Sequence, residues 1–329
     1  MSAGAMHPHA LFRPHASSAS QRLEQALRLY RKRIGRCRTE NQRNRVHIAL
    51  ENYMTPLEVR HFAAALATDP PESPSRNWIA GLNALMPTKR VRPAEFERRG
   101  VVNGATLYTA EAGSPKEKTL VLAFGGHFHR LMVPTPSVLD CLDPTLFDVI
   151  LLRDFSRTFF AKGIFGLGDD FFAAIAALRR HVDPGSYRSS IALGSSAGGL
   201  PAVLAAILLR LKRGVSVGGM DFPYFAGKLD GWGVSAQPYA ELLASRPIPF
   251  PELLLVYCGG HEIDAGAAVA LHPRVPSRLV EIRNCKGHGV FPTKLRQGRL
   301  PSFLSKLLGP QPAPELAATI SHVAQEQLG

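Results

Sequence analysis

Residues 190–211 read Ser-Ile-Ala-Leu-Gly-Ser-Ser-Ala-Gly-Gly-Leu-Pro-Ala-Val-Leu-Ala-Ala-Ile-Leu-Leu-Arg-Leu, and Gly194-Ser195-Ser196-Ala197-Gly198 within them is a G-x-S-x-G turn. Ile191–Leu193 is a short apolar run of the kind a buried strand carries, and helix formers follow from about Ala197. Between a strand and a helix, this motif makes a sharp turn that holds its central serine in a strained conformation with the oxygen exposed. A Cβ at either flanking position would collide as strand and helix close on each other. The turn also sets Ser196 at a helix N-terminus, where the positive end of the dipole favours a developing negative charge. The backbone N–H of Ala197 is then a candidate oxyanion donor. The plain alternative is a tight βα turn with a satisfied serine. An acid and a histidine downstream, in that order, would decide between the two.

Outward from this turn, apolar strands alternate with helices. Gly100–Tyr108 alternates like an early edge hairpin. Thr119–Phe124 and Phe147–Leu152 read as fully buried strands, followed by Gly125-Gly126-His127-Phe128 and by Arg153-Asp154. Asp169–Arg180 has a helical pattern, with Phe172, Ile175 and Leu178 facing in. After Ser196 come strand-like Val215–Val217, Leu253–Tyr257 and Arg278–Ile282, the last followed by Gly287-His288-Gly289. This pattern predicts an α/β fold, a mostly parallel sheet covered by helices on both faces. In such sheets chemistry sits beyond the carboxyl ends of the strands. Ser196, Gly125–His127, Asp264 and His288 all follow strand ends, so they can converge.

Ahead of the sheet, residues 20–86 read as four helices. Ser18 or Ser20 can cap the first, which carries Leu23, Leu27, Tyr30 and Ile34. The second runs from Glu40 to about Tyr53. The third starts at Thr55-Pro56, and the fourth covers Ser75–Met86. The expected organisation is a tail at 1–19, a small helical N-terminal region at 20–90, the main domain at 95–310, and a helix or tail at 311–329. A content of 45% hydrophobic residues in 329 is enough for that core. The formal charge of +13 is concentrated in Arg22–Arg45, where Arg28, Arg31, Lys32, Arg33 and Arg36 could meet a polyanion or simply form a solvated basic face. A helix-turn-helix DNA binder is a further option for this region. The four cysteines lack CxxC spacing and read as free thiols in a reducing compartment, with no disulfide framework and no zinc site. Met1–Ser18 lacks the apolar core of a signal peptide, and Leu200–Leu209 is too short to cross a bilayer, so a cytoplasmic location follows by default.

From about Glu95 onward the chain resembles the α/β-hydrolase superfamily. The resemblance rests on Gly194–Gly198, strand-terminal Gly125-Gly126, an acid after a later strand, and Gly287-His288-Gly289 after the last one. The chain order serine, acid, histidine is the one expected of that superfamily. The resemblance implies Ser196 as nucleophile, His288 as general base, and Asp264 as the acid that orients it. Glu262, two residues earlier, and Asp221, one strand earlier, are alternative acids. His261 also lies close to the acid loop. Ala197 would share the oxyanion hole with His127 or, next, Gly126. Here Gly125 departs from the family pattern by replacing the usual histidine. Asp221–Phe250, with Phe222, Tyr224, Phe225, Trp232 and Tyr239, reads as a lid or a self-packed loop, and Asp154–Asp170 as a second loop at the same edge. The expected activity is hydrolysis of an ester, amide or thioester through a Ser196 acyl-enzyme. Transfer of the acyl group to an alcohol would use the same residues, and a vestigial hydrolase acting as a basic adaptor is the non-enzymatic alternative. No phosphate loop, dinucleotide fingerprint or metal-spaced His/Cys cluster is present, so no cofactor is expected.

Overall fold

The computed structural model describes residues 19–88 and 92–309. The tail expected at 1–19, apart from residue 19, the cap Ser18, and the helix or tail at 311–329 lie outside the described residues. Four helices come first: α1 (Ala19–Ile34), α2 (Glu40–Glu51), α3 (Pro56–Leu66) and α4 (Pro74–Ala84). Thr39 and Thr55 cap α2 and α3 in reciprocal capping boxes with Gln42 and Glu58, and Pro56 opens α3. The fourth helix begins one residue earlier than its pattern suggests, because Ser73 caps it and Pro74 takes the first position.

Then follow β1 (Glu97–Val102), β2 (Ala105–Thr109), β3 (Thr119–Phe124), α5 (Thr135–Leu139), β4 (Phe147–Leu152), α6 (Phe171–His181), β5 (Ser189–Ser195), α7 (Gly199–Leu209) and β6 (Arg213–Val217). The chain continues with α8 (Phe222–Leu229), α9 (Gln237–Ala244), β7 (Glu252–Gly260), α10 (Glu262–Leu271), β8 (Arg278–Lys286), α11 (Val290–Arg296) and α12 (Leu300–Leu308). The eight strands form one sheet in the order β1-β2-β4-β3-β5-β6-β7-β8. Only the β1–β2 and β2–β4 pairs are antiparallel; from β4 to β8 all pairs are parallel. This is the α/β-hydrolase sheet, preceded by a helical segment.

Period-two alternation divides each central strand between two cores. Leu120, Leu122 and Phe124 pack with residues of α6 to α10, while Val121 and Ala123 pack with residues of α5, α11 and α12 on the other face. Strand β3 therefore reads as a continuous apolar run, and β5 carries one in Ile191–Leu193, as strands covered on both faces do. In α6 it is Phe171, not Phe172, that is fully buried with Ile175 and Leu178, since Asp170 caps the helix and fixes its phase.

The α1–α4 segment has its own apolar cluster, which includes Tyr30, Leu50, Phe62 and Ile79. It is fastened to the sheet by a polar network around Arg153, which is fully buried at the end of β4. Arg153 donates to the Asn52 carbonyl at 2.6 Å and Thr106 Oγ1 at 2.8 Å, and its guanidinium lies 3.9 Å from the centre of the Tyr53 ring. Tyr108 Oη donates to the Tyr53 carbonyl at 3.1 Å.

The expectation of four free thiols fails for two of them. Cys258 and Cys285 are disulfide-bonded, with Cα atoms 5.0 Å apart, while Cys37 and Cys141 are free. The two partners stand on β7 and β8, neighbouring parallel strands, so their meeting depends on strand order and not on sequence spacing. Cysteine usage therefore no longer argues for a reducing compartment. Among the described residues no helix is long and apolar enough to cross a membrane.

Candidate active site

Ser196 follows the last residue of β5 and has φ 52°, a left-handed conformation uncommon for a residue with a side chain. The neighbouring glycines explain how the turn closes. A Cβ on Gly194 would lie 1.9 Å from the Gly198 carbonyl oxygen, and one on Gly198 would lie 2.2 Å from the Phe124 carbonyl oxygen. Strand, turn and helix thus meet at a distance that only glycine permits at both positions. The serine stands at the carboxyl edge of a central strand, half-buried, with the helical turn Ser196–Gly198 leading into α7. Backbone N–H groups in such a first turn have no partner within the helix, and the Ala197 N–H is one of them.

The loop after β3 lies against this turn: a Cβ on Gly126 would stand 3.3 Å from Ser196 Cβ. The Gly126 N–H is already committed to the Arg130 carbonyl at 3.0 Å, and the Gly125 N–H to the Leu152 carbonyl at 3.0 Å. The His127 N–H has no backbone acceptor among the described residues. Of the two proposed second donors, His127 is thus the one with its N–H unspent.

Helix α2 holds this loop from outside. Arg130 forms a 2.6 Å ion pair with Glu51, and Asn52 Nδ2 donates to the Phe128 carbonyl at 2.8 Å. The sequence reading missed Glu51, Asn52 and Arg153 as support for the site. Their one visible signal is a charged pair, Arg153-Asp154, placed directly after an apolar strand at the carboxyl edge of the sheet. Next to this clamp, burial and the positive charges of Arg153 and Arg157 hold the His129 imidazole well below its ordinary range, at about 4.

Asp264 is buried in the first turn of α10, and His288 is in the exposed loop after β8. His288 Nδ1 lies 2.8 Å from Asp264 Oδ1. That hydrogen bond, more than the opposing effect of partial burial, raises the His288 pKa above its ordinary value. Gly218, just past β6, joins the two halves of the site. A Cβ on it would lie 3.0 Å from Asp264 Oδ2 and 3.3 Å from His288 Cε1. Its neighbour Gly219 packs against Gly199 at the start of α7, where a Gly199 Cβ would stand 2.6 Å from Gly219 Cα. Elbow, β6 end and acid–histidine pair are therefore contiguous. Among the described residues His288 has no hydrogen bond to Ser196; catalytic hydrogen bonds commonly tighten only once substrate is bound.

The alternative acids are placed elsewhere. Asp221 caps α8 by accepting the Tyr224 N–H at 2.6 Å, and Glu262 is exposed on the first residue of α10. The long aromatic segments divide in two. Phe160, Phe225 and Tyr239 are core, with Phe225 and Tyr239 rings 5.1 Å apart. Phe159 reaches the rim, where its ring is 5.3 Å from His127, 5.5 Å from Trp232 and 6.3 Å from the exposed Tyr224. Asp154 fixes this loop by accepting the Ser156 N–H at 3.0 Å and the Phe160 N–H at 2.9 Å. It thereby holds Arg157, Phe159 and Phe160 at positive φ. Of the basic residues proposed for a polyanion, Arg28, Arg31, Lys32 and Arg36 are exposed and Arg33 is half-buried.

No protein-family model matches the chain, and no curated protein does. Among solved structures it is similar to a 2,6-dihydroxy-pseudo-oxynicotine hydrolase, at 15% identity over 92% of each chain, with a TM-score of 0.45. It is also similar to a dienelactone hydrolase from Anabaena variabilis, at 16% identity over 66% of this chain and 97% of that one, with a TM-score of 0.42. A third is an S-formylglutathione hydrolase from Staphylococcus aureus, at 14% identity over 65% of this chain and 98% of that one, with a TM-score of 0.44. The α/β-hydrolase fold of this chain stands on its own strand order and elbow.

Proposed function

We propose that the chain is a serine hydrolase that cleaves an ester, amide or thioester through an acyl-enzyme on Ser196. The observation that carries this reading is the pairing of a left-handed Ser196, wedged between two glycines, with a His288–Asp264 dyad on the same sheet edge. A serine hydroxyl is inert until a base takes its proton. In the proposed cycle Ser196 Oγ attacks the carbonyl carbon and its proton passes to His288 Nε2. Asp264 keeps the other ring proton on Nδ1 and stabilises the imidazolium. The negative charge on the former carbonyl oxygen is met by the Ala197 and His127 N–H groups. Collapse expels the leaving group, which takes the proton from His288. Water then repeats the attack with His288 again as base, releasing the acid and freeing Ser196. Phe159, Tyr224 and Trp232 offer apolar and aromatic surface for the acyl or leaving group.

The test is labelling with a fluorophosphonate probe followed by peptide mapping. Modification is expected at Ser196, abolished in Ser196→Ala and slowed about a thousandfold or more in His288→Gln. Folded protein that takes no label, or takes it at another residue, would overturn the reading.

A further inference from the structure

Asp264 is approached from two sides. His288 Nδ1 is 2.8 Å from its Oδ1, and His261 Nδ1 is 2.9 Å from the same oxygen. His261 also caps α10, its Nδ1 accepting the Asp264 backbone N–H at 3.3 Å. A ring nitrogen that accepts a hydrogen bond carries no proton. In the tautomer that caps α10, the same His261 nitrogen lone pair also faces Asp264 Oδ1, the oxygen that His288 Nδ1 approaches from the other side. Asp264 Oδ2 is buried without a hydrogen-bond partner. The acyl-transfer cycle makes no use of His261.

We infer that His261, Asp264 and His288 together bind Zn2+, and that the bound ion switches off the serine chemistry proposed above, on which the inhibitory half of this inference rests. The three donor atoms lie within 4.8 Å of one another. With zinc–ligand bonds of about 2.0–2.1 Å, neighbouring donors of a tetrahedral site stand about 3.3 Å apart. Each histidine nitrogen thus has to withdraw from Asp264 Oδ1 by about half an ångström, while the two nitrogens, which start within 4.8 Å of each other, settle to the same spacing. The His288 and His261 side chains are 45% and 26% exposed, so an ion can enter from solvent and water can complete its shell. Two imidazoles and a carboxylate suit zinc better than the all-oxygen sites that magnesium and calcium prefer. The sequence spacing does not show this group, because its members come from the α10 cap and from the loop beyond the next strand.

The inhibition follows from the tautomer. An imidazole bound to metal through Nδ1 carries its proton on Nε2. That is the edge that must be bare to accept the Ser196 proton, so bound zinc and an active base exclude each other.

Calorimetric titration of Zn2+ into the full chain carrying Ser196→Ala reads the site without reference to catalysis, and Co2+ absorption in the same protein reports its geometry. One site is expected, weakened about tenfold or more both in His261→Asn and in His288→Gln. Asparagine keeps a capping acceptor on α10, so the fold is retained and only the imidazole is lost. In the wild-type chain, zinc saturation should stop fluorophosphonate labelling, and a chelator should restore it. Zinc affinity unchanged by His261→Asn would put the ion on other histidines and sink the site. Binding that leaves labelling untouched would sink the inhibition. If Ser196 proves not to be the nucleophile, the calorimetric arm still decides the site.

Discussion

Gly198→Ala is the sharpest test of the elbow. It places a methyl group 2.2 Å from the Phe124 carbonyl oxygen, 2.7 Å from its carbon and 2.9 Å from the Gly125 carbonyl oxygen. Ordinary contact begins at 3.4 Å, so strand and turn must part by 3.4 − 2.2 = 1.2 Å. Neither side can yield easily. Strand β3 is paired along its length with β4 and β5, and Gly199 to Ile207 of α7 are all buried. Forced overpacking of this kind costs about 1–3 kcal/mol. The kinetic effect should be larger, because a shift of about 1 Å between nucleophile and oxyanion donors costs about a hundredfold in rate. The assay is the second-order rate of fluorophosphonate labelling beside a thermal melt. Gly227→Ala in α8 is the control, since its Cβ would meet nothing within 4 Å. Gly198→Ala should melt lower and label about a hundredfold more slowly, while Gly227→Ala should label like the parent. A Gly198→Ala protein with parental melting and labelling would refute the close approach on which the elbow depends.

Four further outcomes are expected. On the proposed mechanism His288 must be neutral to act as base, and its bond to Asp264 raises its pKa, so the acid limb of activity lies above that of an ordinary imidazole. Asp264→Asn should move that limb to lower pH while cutting the rate about ten-thousandfold, as read from a pH–rate profile. The pair's contribution to stability has the opposite pH sense: present below the unfolded value, it is lost as pH rises through the folded one. Buried His47, stacked 4.2 Å from Trp78, is held down to about 4 by desolvation. The drop of 6.5 − 4 = 2.5 units removes about 3 kcal/mol as pH falls through that window, measurable by urea unfolding at neutral and acid pH and diminished in His47→Gln. Arg153→Met removes the buried donor to the Asn52 carbonyl, Thr106 Oγ1 and Tyr108 Oη, of which the first keeps Thr135 Oγ1 and the last keeps the Tyr53 carbonyl, and should cost about 1–3 kcal/mol in chemical denaturation. Thiol titration of the denatured chain should find two reactive cysteines before reduction and four after. Cys258→Ser, which opens the cross-link spanning 27 positions, should destabilise by about 3.5 kcal/mol on the chain-entropy account.

What the sequence shows plainly is what depends on neighbours along the chain. Thr119–Phe124 and Phe147–Leu152 are legible to the residue because buried parallel strands are mostly apolar runs, and the one charge among them, Asp148, is buried against Lys118 at 3.0 Å. The Thr55-Pro56 start of α3 is legible because capping is local chemistry. The Ser196 turn announces itself through glycines that permit no Cβ. Long-range relations are silent in one sequence. The disulfide depends on β7 and β8 being neighbours, and no spacing rule reports that. The second histidine on Asp264 depends on a capping geometry that sequence disfavours, since serine, threonine, aspartate and asparagine are the usual caps. The commitment of the Gly126 N–H to Arg130, which separates it from His127 as a donor, depends on how one short loop folds back. The aromatic segments are legible only as a choice between a lid and a self-packed loop, and the fold turns Phe225 and Tyr239 inward, leaves Tyr224 exposed and sets the buried Phe159 between them.

The grip of α2 on the loop after β3 also bears on the order of synthesis. Glu51 is made 79 positions before the Arg130 it holds, and Asn52 is made 101 positions before Arg153. Domains tend to fold as units from the amino end while the ribosome is still adding residues. The helical segment, with an apolar cluster of its own, can therefore form first and wait as a template. The loop beside Ser196 would then be cast against a finished surface as it emerges, and an error in the early helices would be inherited by a sheet edge not yet translated.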